Sequence, residues 1–202
     1  MRSKTWNKEH ADDRFVQRAH KEGWRSRAVY KLEELDKKYN LIQSGMSVVD
    51  LGAAPGGWSQ YAVKKVGGNG KVIAIDVLDM ESINNVHFLQ GDITEQEIYE
   101  SLREIVGHNP VDLVLSDMAP NISGISSVDQ PKAMYLAELA ADFALEVLSP
   151  DGGLLVKLFQ GAGFDDYVKM LRSKFSKVLI RKPEASRSRS RETYALATHI
   201  KL

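Results

Sequence analysis

The sequence predicts an α/β domain built on a mostly parallel sheet of seven strands, with helices on both faces and an antiparallel strand at the C-terminal end. Three observations support this fold class. Short apolar runs alternate with segments of helical periodicity from residue 47 onward, a pattern typical of strand–helix–strand units. A glycine-rich turn directly follows the first apolar run. No helical segment separates the last two apolar runs, so these two strands are expected to pair antiparallel.

The 202 residues fit one domain, with a basic N-terminal helical extension over 1–46 and a core over 47–202. Gly23 should end a short helix over 14–22, and Ser26 is the expected N-cap of a second helix over 28–35. Helices are predicted in the core at 57–66, 95–106, 130–148 and 164–175. Strands are predicted at 47–51, 71–76, 86–90, 111–116, 154–159, 176–181 and 193–198.

The composition argues against several classes of protein. No apolar run approaches the ~18 residues that a membrane span requires, and the start of the chain does not resemble a signal or transit peptide. The chain has no cysteine, which excludes disulfides and thiolate metal sites, and its five histidines are scattered, so we expect no metal site. We therefore expect a cytoplasmic protein with no membrane partner. No extended apolar surface is evident, which favours a monomer.

The formal net charge is zero, but the charges are unevenly distributed along the chain. Residues 1–31 hold nine Lys and Arg against four Asp and Glu, a net charge of +5. Residues 169–202 hold ten against two, a net charge of +8, whereas residues 32–168 carry a net charge of −13. Basic ends around an acidic centre point to a nucleic acid partner.

The turn after the first predicted strand has the glycine spacing of a ligand-binding loop. Its candidate cofactor-binding positions are Asp50, Gly52, Gly56, Gly57 and Trp58. The spacing differs from the G-x-G-x-x-G of dinucleotide-binding folds and from the G-x-x-x-x-G-K-[ST] of P-loops. The second predicted strand ends in Asp76, where a carboxylate can bind the two hydroxyls of a ribose. The first strand runs into the motif D-x-G, and the second strand ends in an acid. This pattern resembles that of the S-adenosylmethionine (SAM) methyltransferases.

Three charged residues lie at or near the ends of predicted strands. Asp117 follows the fourth strand, Lys157 lies within the apolar fifth strand, and Glu192 opens the last strand. A lysine in an apolar strand is unfavourable unless it is paired or functional. In a doubly wound sheet the first, fourth and fifth strands are neighbours, so we expect these side chains to share one cleft.

Lys31, Asp117, Lys157 and Glu192 occur in the order of the K-D-K-E tetrad of ribose 2′-O-methyltransferases. The local sequences around them, and around the glycine-rich turn, also match: residues 26–32, 50–60, 116–124, 156–161 and 181–192. On these motifs the chain resembles the FtsJ/RrmJ family over residues 12–198. The resemblance implies a Rossmann-like SAM methyltransferase fold. It also implies methylation of a uridine 2′-hydroxyl in the peptidyl-transferase A-loop of large-subunit rRNA, within the large ribosomal subunit, in support of ribosome maturation.

The resemblance also implies roles for individual residues. The expected cofactor contacts are Gly56, Trp58, Asp76, Asp92 and Asp117. Asp76 would hold the ribose, Asp92 the adenine edge, and Lys157 would act as the general base, with Lys31 and Glu192 as orienting groups. Apolar surroundings and a neighbouring cation favour loss of the lysine proton, whereas Asp117 and Glu192 oppose it. A charged Lys157 that only orients the hydroxyl is therefore a second hypothesis.

Both basic ends of the chain are candidates for RNA binding. Phosphate contacts are predicted for Arg25, Arg27, Arg187, Arg189 and Arg191. Trp24 or Tyr30 could stack on a base.

Four other functions are alternatives to rRNA ribose methylation. A tRNA ribose 2′-O-methyltransferase shares the tetrad and is the main alternative. A base amino-methyltransferase is disfavoured, because the sequence after Asp117 lacks the first proline and the aromatic residue of D-P-P-Y. A non-catalytic rRNA-binding assembly factor would be favoured by loss of a tetrad residue, and all four are present. A nicotinamide oxidoreductase lacks its G-x-G-x-x-G fingerprint here.

Overall fold

A computed structural model describes residues 13–201, so the first twelve residues of the predicted N-terminal extension lie outside the described part of the chain. The strands are β1 (Ser47–Leu51), β2 (Lys71–Asp76), β3 (Val86–Gln90), β4 (Val111–Ser116), β5 (Leu148–Phe159), β6 (Phe175–Arg181) and β7 (Glu192–Ile200). The helices are α1 (Arg14–Glu22), α2 (Val29–Tyr39), α3 (Gly57–Val66), α4 (Gln96–Val106), α5 (Ser126–Val147) and α6 (Phe164–Lys174).

The seven strands form one sheet in the order β3-β2-β1-β4-β5-β7-β6. Neighbouring strands from β3 to β5 pair in parallel, whereas β7 pairs antiparallel with both β5 and β6. The predicted mostly parallel sheet with an antiparallel C-terminal strand is therefore confirmed. The chain runs outward from β1 to β3 and then returns to β4 on the other side of β1. This reversal opens a crevice at the carboxyl ends of β1 and β4, where such sheets bind ligands.

Helices cover both faces of the sheet, as predicted. One apolar cluster joins the sheet to α4, α5 and α6 and is centred on Phe143 and Leu102, both fully buried. The other joins the opposite face to α1, α2 and α3 and includes Leu32 and Trp58. Burial on both faces explains why the central strands read as continuous apolar runs in the sequence.

Several element boundaries differ from the sequence prediction: α2 extends to Tyr39, β7 extends to Ile200, and α5 and β5 begin earlier than predicted. Helix α5 begins at Ser126, four residues before the predicted start, because the Asp129 carboxylate in its first turn accepts hydrogen bonds from the backbone N–H groups of Ser123 and Gly124. Strand β5 begins at Leu148, because the chain through Gly153 stays paired with β4 across a register shift. The sequence predicts a later start for this strand, because Pro150, Gly152 and Gly153 are residue types that favour turns.

The predicted cap of α2 is wrong. The N-cap is Ala28, which makes no side-chain cap bond. Ser26 instead packs against the glycine-rich turn, where a Cβ at Gly57 would come within 2.5 Å of the Ser26 hydroxyl oxygen. The N-terminal extension is thus fitted closely to the turn that follows β1.

No helix within residues 13–201 combines the length and the apolar character needed to cross a membrane.

Candidate active site

A cavity of about 440 Å³ lies at the carboxyl ends of β1, β2 and β4, where the strand order reverses. Its polar wall contains the carboxylates of Asp76, Asp92 and Asp117. Its apolar wall includes Ile75 and Ile93. The cavity therefore lies where the topology predicts a ligand, and four of the predicted cofactor residues line it: Gly52, Asp76, Asp92 and Asp117.

Backbone hydrogen bonds fix two of these carboxylates. Asp76 accepts hydrogen bonds from the backbone N–H groups of Ala54, at 2.9 Å, and Leu78, at 2.8 Å. The Asp92 Oδ1 atom accepts from the Thr94 backbone N–H at 2.9 Å and from the Thr94 hydroxyl at 2.7 Å. Both carboxylates are consequently held in place at the cavity.

Close backbone approach at the cavity depends on Gly52. Its φ of +78° is unfavourable for other residues, and a Cβ there would lie 2.8 Å from the Met118 side chain. A carboxylate for the ribose hydroxyls and apolar walls for an adenine fit SAM. Asp76, Asp92 and Gly52 are the residues that would hold it.

Four other predicted cofactor residues do not occur among the described residues that line the cavity: Asp50, Gly56, Gly57 and Trp58. Direct contact of these four residues with the cofactor stays a prediction. Gly56 (φ +106°) packs beside Met80, and the Trp58 indole is buried and donates to the Ala28 carbonyl at 2.8 Å. They shape the turn and its packing.

Asp50 is fully buried at the end of β1. The Ser59 hydroxyl donates to its Oδ2 atom at 2.6 Å, and within residues 13–201 its Oδ1 atom has no hydrogen-bond partner. Burial raises the pKa of Asp50 to about 7; the Ser59 hydrogen bond opposes this rise, and the nearby Asp117 and Asp76 carboxylates add to it. Asp50 is thus protonated in the folded protein under mildly acidic conditions.

This pKa predicts how stability depends on pH. Between the ordinary pKa of an aspartate and about 7, the folded chain binds the Asp50 proton and the unfolded chain does not, so stability falls as pH rises through this window. From pH 5 to pH 7.5, we expect wild type to lose about 2–3 kcal/mol of unfolding free energy relative to Asp50→Asn. Urea denaturation at both pH values measures this difference, and identical pH dependences would contradict the prediction.

The structure brings all four tetrad residues together. The Lys157 Nζ atom lies 3.1 Å from Asp117 Oδ1 and also donates to the Asp117 carbonyl oxygen. The Lys31 Nζ atom lies 2.7 Å from Glu192 Oε1. The four side chains therefore form two ion pairs in one cleft, as the positions of the strand ends predict.

Tyr194 connects these two ion pairs, and the sequence analysis missed it. Its hydroxyl accepts a hydrogen bond from Lys31 Nζ at 3.1 Å and donates one to Asp117 Oδ1 at 2.6 Å. A sequence signal was available, because Tyr194 follows Glu192 by two residues and therefore shares its face of β7. In the β5–β7 register Tyr194 lies directly opposite Lys157.

The network sets the charges of its members. Burial alone would raise the pKa of Asp117, but Lys157, Lys31 and the Tyr194 hydrogen bond together hold it below its ordinary value. Burial and the Asp117 charge raise the pKa of Tyr194 well above its ordinary range. At neutral pH Asp117 is therefore a carboxylate and Tyr194 a hydrogen-bond donor. The resulting site can hold an ammonium beside a ligand in the adjoining cavity.

Two arginines predicted to bind RNA are engaged within the protein. Arg25 donates to the backbone carbonyls of Glu81, at 2.6 Å, and Ser82, at 2.9 Å. Arg27 pairs with Asp13 and donates to the Ala185 carbonyl. These contacts give both side chains a role in joining the N-terminal helices to the core.

The predicted stacking residues also differ in exposure. Tyr30 is only 3% exposed and donates its hydroxyl to Glu22, so it cannot stack on a base. The Trp24 ring is partly exposed and packs between Tyr61 and the Lys64 ammonium.

The remaining predicted RNA-binding arginines lie in the loop between β6 and β7. Arg187 is partly exposed, and Arg189 and Arg191 are exposed. Arg191 donates to the hydroxyl of Ser126, the first residue of α5, at 3.2 Å. Glu192 follows this loop directly, which places the arginines next to the tetrad.

Comparisons with known proteins agree with this geometry. The chain is 59% identical over 195 residues to a ribosomal RNA large subunit methyltransferase E of Chromohalobacter salexigens, covering 96% of this chain and 93% of that protein. A protein of the same name from Legionella pneumophila (strain Corby) is 56% identical over 195 residues, covering 96% and 95%. A solved structure described as a ribosomal RNA methyltransferase from Plasmodium falciparum superposes with a TM-score of 0.77 at 29% identity, covering 88% of this chain and 98% of that one.

The model of the FtsJ-like methyltransferase family matches residues 24–200, a span that contains the cavity and all four tetrad residues. The match confirms the resemblance found in the sequence motifs and, with it, SAM as the cofactor. The chain therefore belongs to the FtsJ-like methyltransferase family.

Proposed function

We propose that this protein methylates the 2′-hydroxyl of a uridine ribose in large-subunit rRNA, at the A-loop of the peptidyl-transferase centre, and so supports ribosome maturation. One observation carries the proposed chemistry: Asp117 lines the cofactor cavity and also pairs with Lys157 at 3.1 Å. The lysine of the tetrad therefore lies next to a residue that lines the cavity proposed for the methyl donor. The names of the relatives at 56–59% identity support large-subunit rRNA as the substrate.

In this proposal, bound SAM supplies an electrophilic methyl group. Lys157 first releases its ammonium proton to solvent, and the neutral amine then holds the ribose 2′-hydroxyl and takes its proton. Methyl transfer to that oxygen would break the bond between the methyl carbon and the sulfur of SAM and leave S-adenosylhomocysteine. Asp117 stabilises the lysine ammonium that the proton transfer produces. Tyr194 fixes Asp117, and the Lys31–Glu192 pair fixes Tyr194. A positioned base contributes roughly 10²–10⁴-fold to such a reaction.

The proposal is tested by following labelled methyl groups from SAM into separate samples of large ribosomal subunits, free rRNA and bulk tRNA, all prepared from cells that lack the modification. We expect label in subunits, at a linkage that resists alkaline cleavage, because such cleavage needs a free 2′-hydroxyl. Label only in tRNA would assign the protein to the tRNA alternative. Label in RNA that alkali still cleaves fully would place the methyl group on a base and contradict the proposal.

A protein that acts on ribosomal subunits is expected in the cytoplasm, in agreement with the composition. The monomeric state remains a prediction.

A further inference from the structure

A second pocket, of about 350 Å³, lies between the start of α1 and the loop that joins β6 to β7. We call it the flanking pocket and define it by Arg14, Phe15, Arg27, Ser186, Arg187 and Arg189. We propose that the flanking pocket binds a nucleotide of the RNA strand adjacent to the one that is methylated, with its phosphate on the arginines and its base against Phe15. This inference rests on the proposed function.

The charge of the pocket favours a phosphate. Nine residues line the pocket, and they include four arginines, contributed by both basic ends of the chain, against the two carboxylates of Asp13 and Glu184. Burial and the nearby Arg187 guanidinium lower the pKa of Arg27, so two like charges lie close together there. Asp13 offsets part of this repulsion, and a phosphate would add a second anion whose oxygens match arginine forks in geometry. Asp13 also lines the pocket, but it is already paired with Arg27 and caps α1.

The pocket also offers a surface for a base. Phe15 is partly exposed, with the Arg14 guanidinium 4.8 Å and the Arg27 guanidinium 5.3 Å from its ring centroid. Unstacked RNA bases pack on aromatic rings and on arginine planes of this kind. Arginines beside an aromatic ring therefore fit a nucleotide better than they fit a free inorganic anion.

The position of the pocket specifies which nucleotide it would bind. Ser186 forms part of its wall, and the Ser186 hydroxyl donates to Glu192 Oε1 at 2.9 Å. Glu192 in turn pairs with Lys31, so a single side chain separates the flanking pocket from the tetrad. The flanking pocket therefore borders the tetrad through Ser186, as a site for the nucleotide next to the methylated one would require.

Steady-state methyl transfer to unmodified large ribosomal subunits tests the inference. Arg14→Ala removes an exposed cation, and Phe15→Leu removes the ring while keeping an apolar side chain that packs on Tyr30. We expect each variant to raise KM for subunits about 5- to 30-fold with kcat within about twofold of wild type. Arg14→Ala should also reduce the slope of log affinity against log salt by about one. Phe15→Tyr, which keeps an aromatic ring, should have a KM for subunits close to that of wild type.

Arg172→Ala is the matched control, because this exposed arginine lies on α6, outside the flanking pocket. Unchanged KM in both Arg14→Ala and Phe15→Leu would overturn the inference while leaving 2′-O-methyl transfer by wild type intact. Failure of the proposed function would look different, since wild type itself would then form no alkali-resistant linkage. Circular dichroism of each variant separates a binding defect from loss of folding.

Discussion

Replacing Lys157 with alanine is expected to lower the rate of methyl transfer by about 10²–10⁴-fold, with little change in affinity for SAM. The side chain is almost completely buried, and its Nζ atom lies beside Asp117 at the wall of the cofactor cavity. Lys157 itself does not line that cavity, so cofactor affinity should survive its loss. Single-turnover transfer from labelled SAM, together with calorimetric titration of the cofactor, measures both quantities.

Lys157→Arg distinguishes the two hypotheses for this residue. Arginine keeps the positive charge but does not lose a proton in proteins. If Lys157 takes the hydroxyl proton, the arginine variant should be as slow as the alanine variant. If a charged group only orients the hydroxyl, the arginine variant should retain substantial activity. Lys169→Ala, at an exposed position on α6, is the control, and full activity in Lys157→Ala would refute a catalytic role.

Asp117→Asn is expected to slow methyl transfer nearly as much as Lys157→Ala does, and also to lower the free energy of unfolding. The substitution preserves the shape of the side chain but removes the anion that lies next to Lys157 and hydrogen-bonds Tyr194. Removing one partner of a buried ion pair leaves an uncompensated charge and costs about 3 kcal/mol of unfolding free energy. We expect this loss in urea denaturation, and a rate lowered by about 10²-fold or more because Lys157 is no longer held in place.

A double variant identifies the source of the instability. Asp117→Asn combined with Lys157→Met removes both charges, so the stability lost in Asp117→Asn should largely return while methyl transfer stays absent. If the double variant is as unstable as Asp117→Asn alone, the unpaired ammonium is not the cause. Asp151→Asn, at an exposed carboxylate early in β5, controls for the general effect of losing a negative charge.

The sequence allowed much of the fold and the tetrad to be predicted, because both depend on local patterns. Each core strand is a short apolar run, and Asp117, Lys157 and Glu192 stand at or near strand ends that a doubly wound sheet must bring together. Asp76 and Asp92, which line the cavity and are the residues proposed to hold the cofactor, could be found for the same reason.

Contacts between distant parts of the chain could not be predicted in this way. Arg25 resembles any basic surface residue until its bonds to carbonyls 56 and 57 residues away are known. The role of Tyr194 depends on the β5–β7 register, which places it opposite Lys157. Asp50 lies near the end of β1, much as Asp76 lies at the end of β2. Only the structure shows that Asp50 is fully buried and accepts a hydrogen bond from Ser59.

The place of β7 in the sheet has a consequence for biosynthesis. Although β7 follows β6 in the chain, it lies between β5 and β6, and it carries Glu192 and Tyr194. While a ribosome translates the gene, β6 emerges before the strand with which it pairs, and the tetrad lacks one carboxylate until residue 192 has left the exit tunnel. A nonsense or frameshift mutation just before this codon would therefore remove an interior strand rather than a dispensable tail, and we expect the truncated product to be degraded.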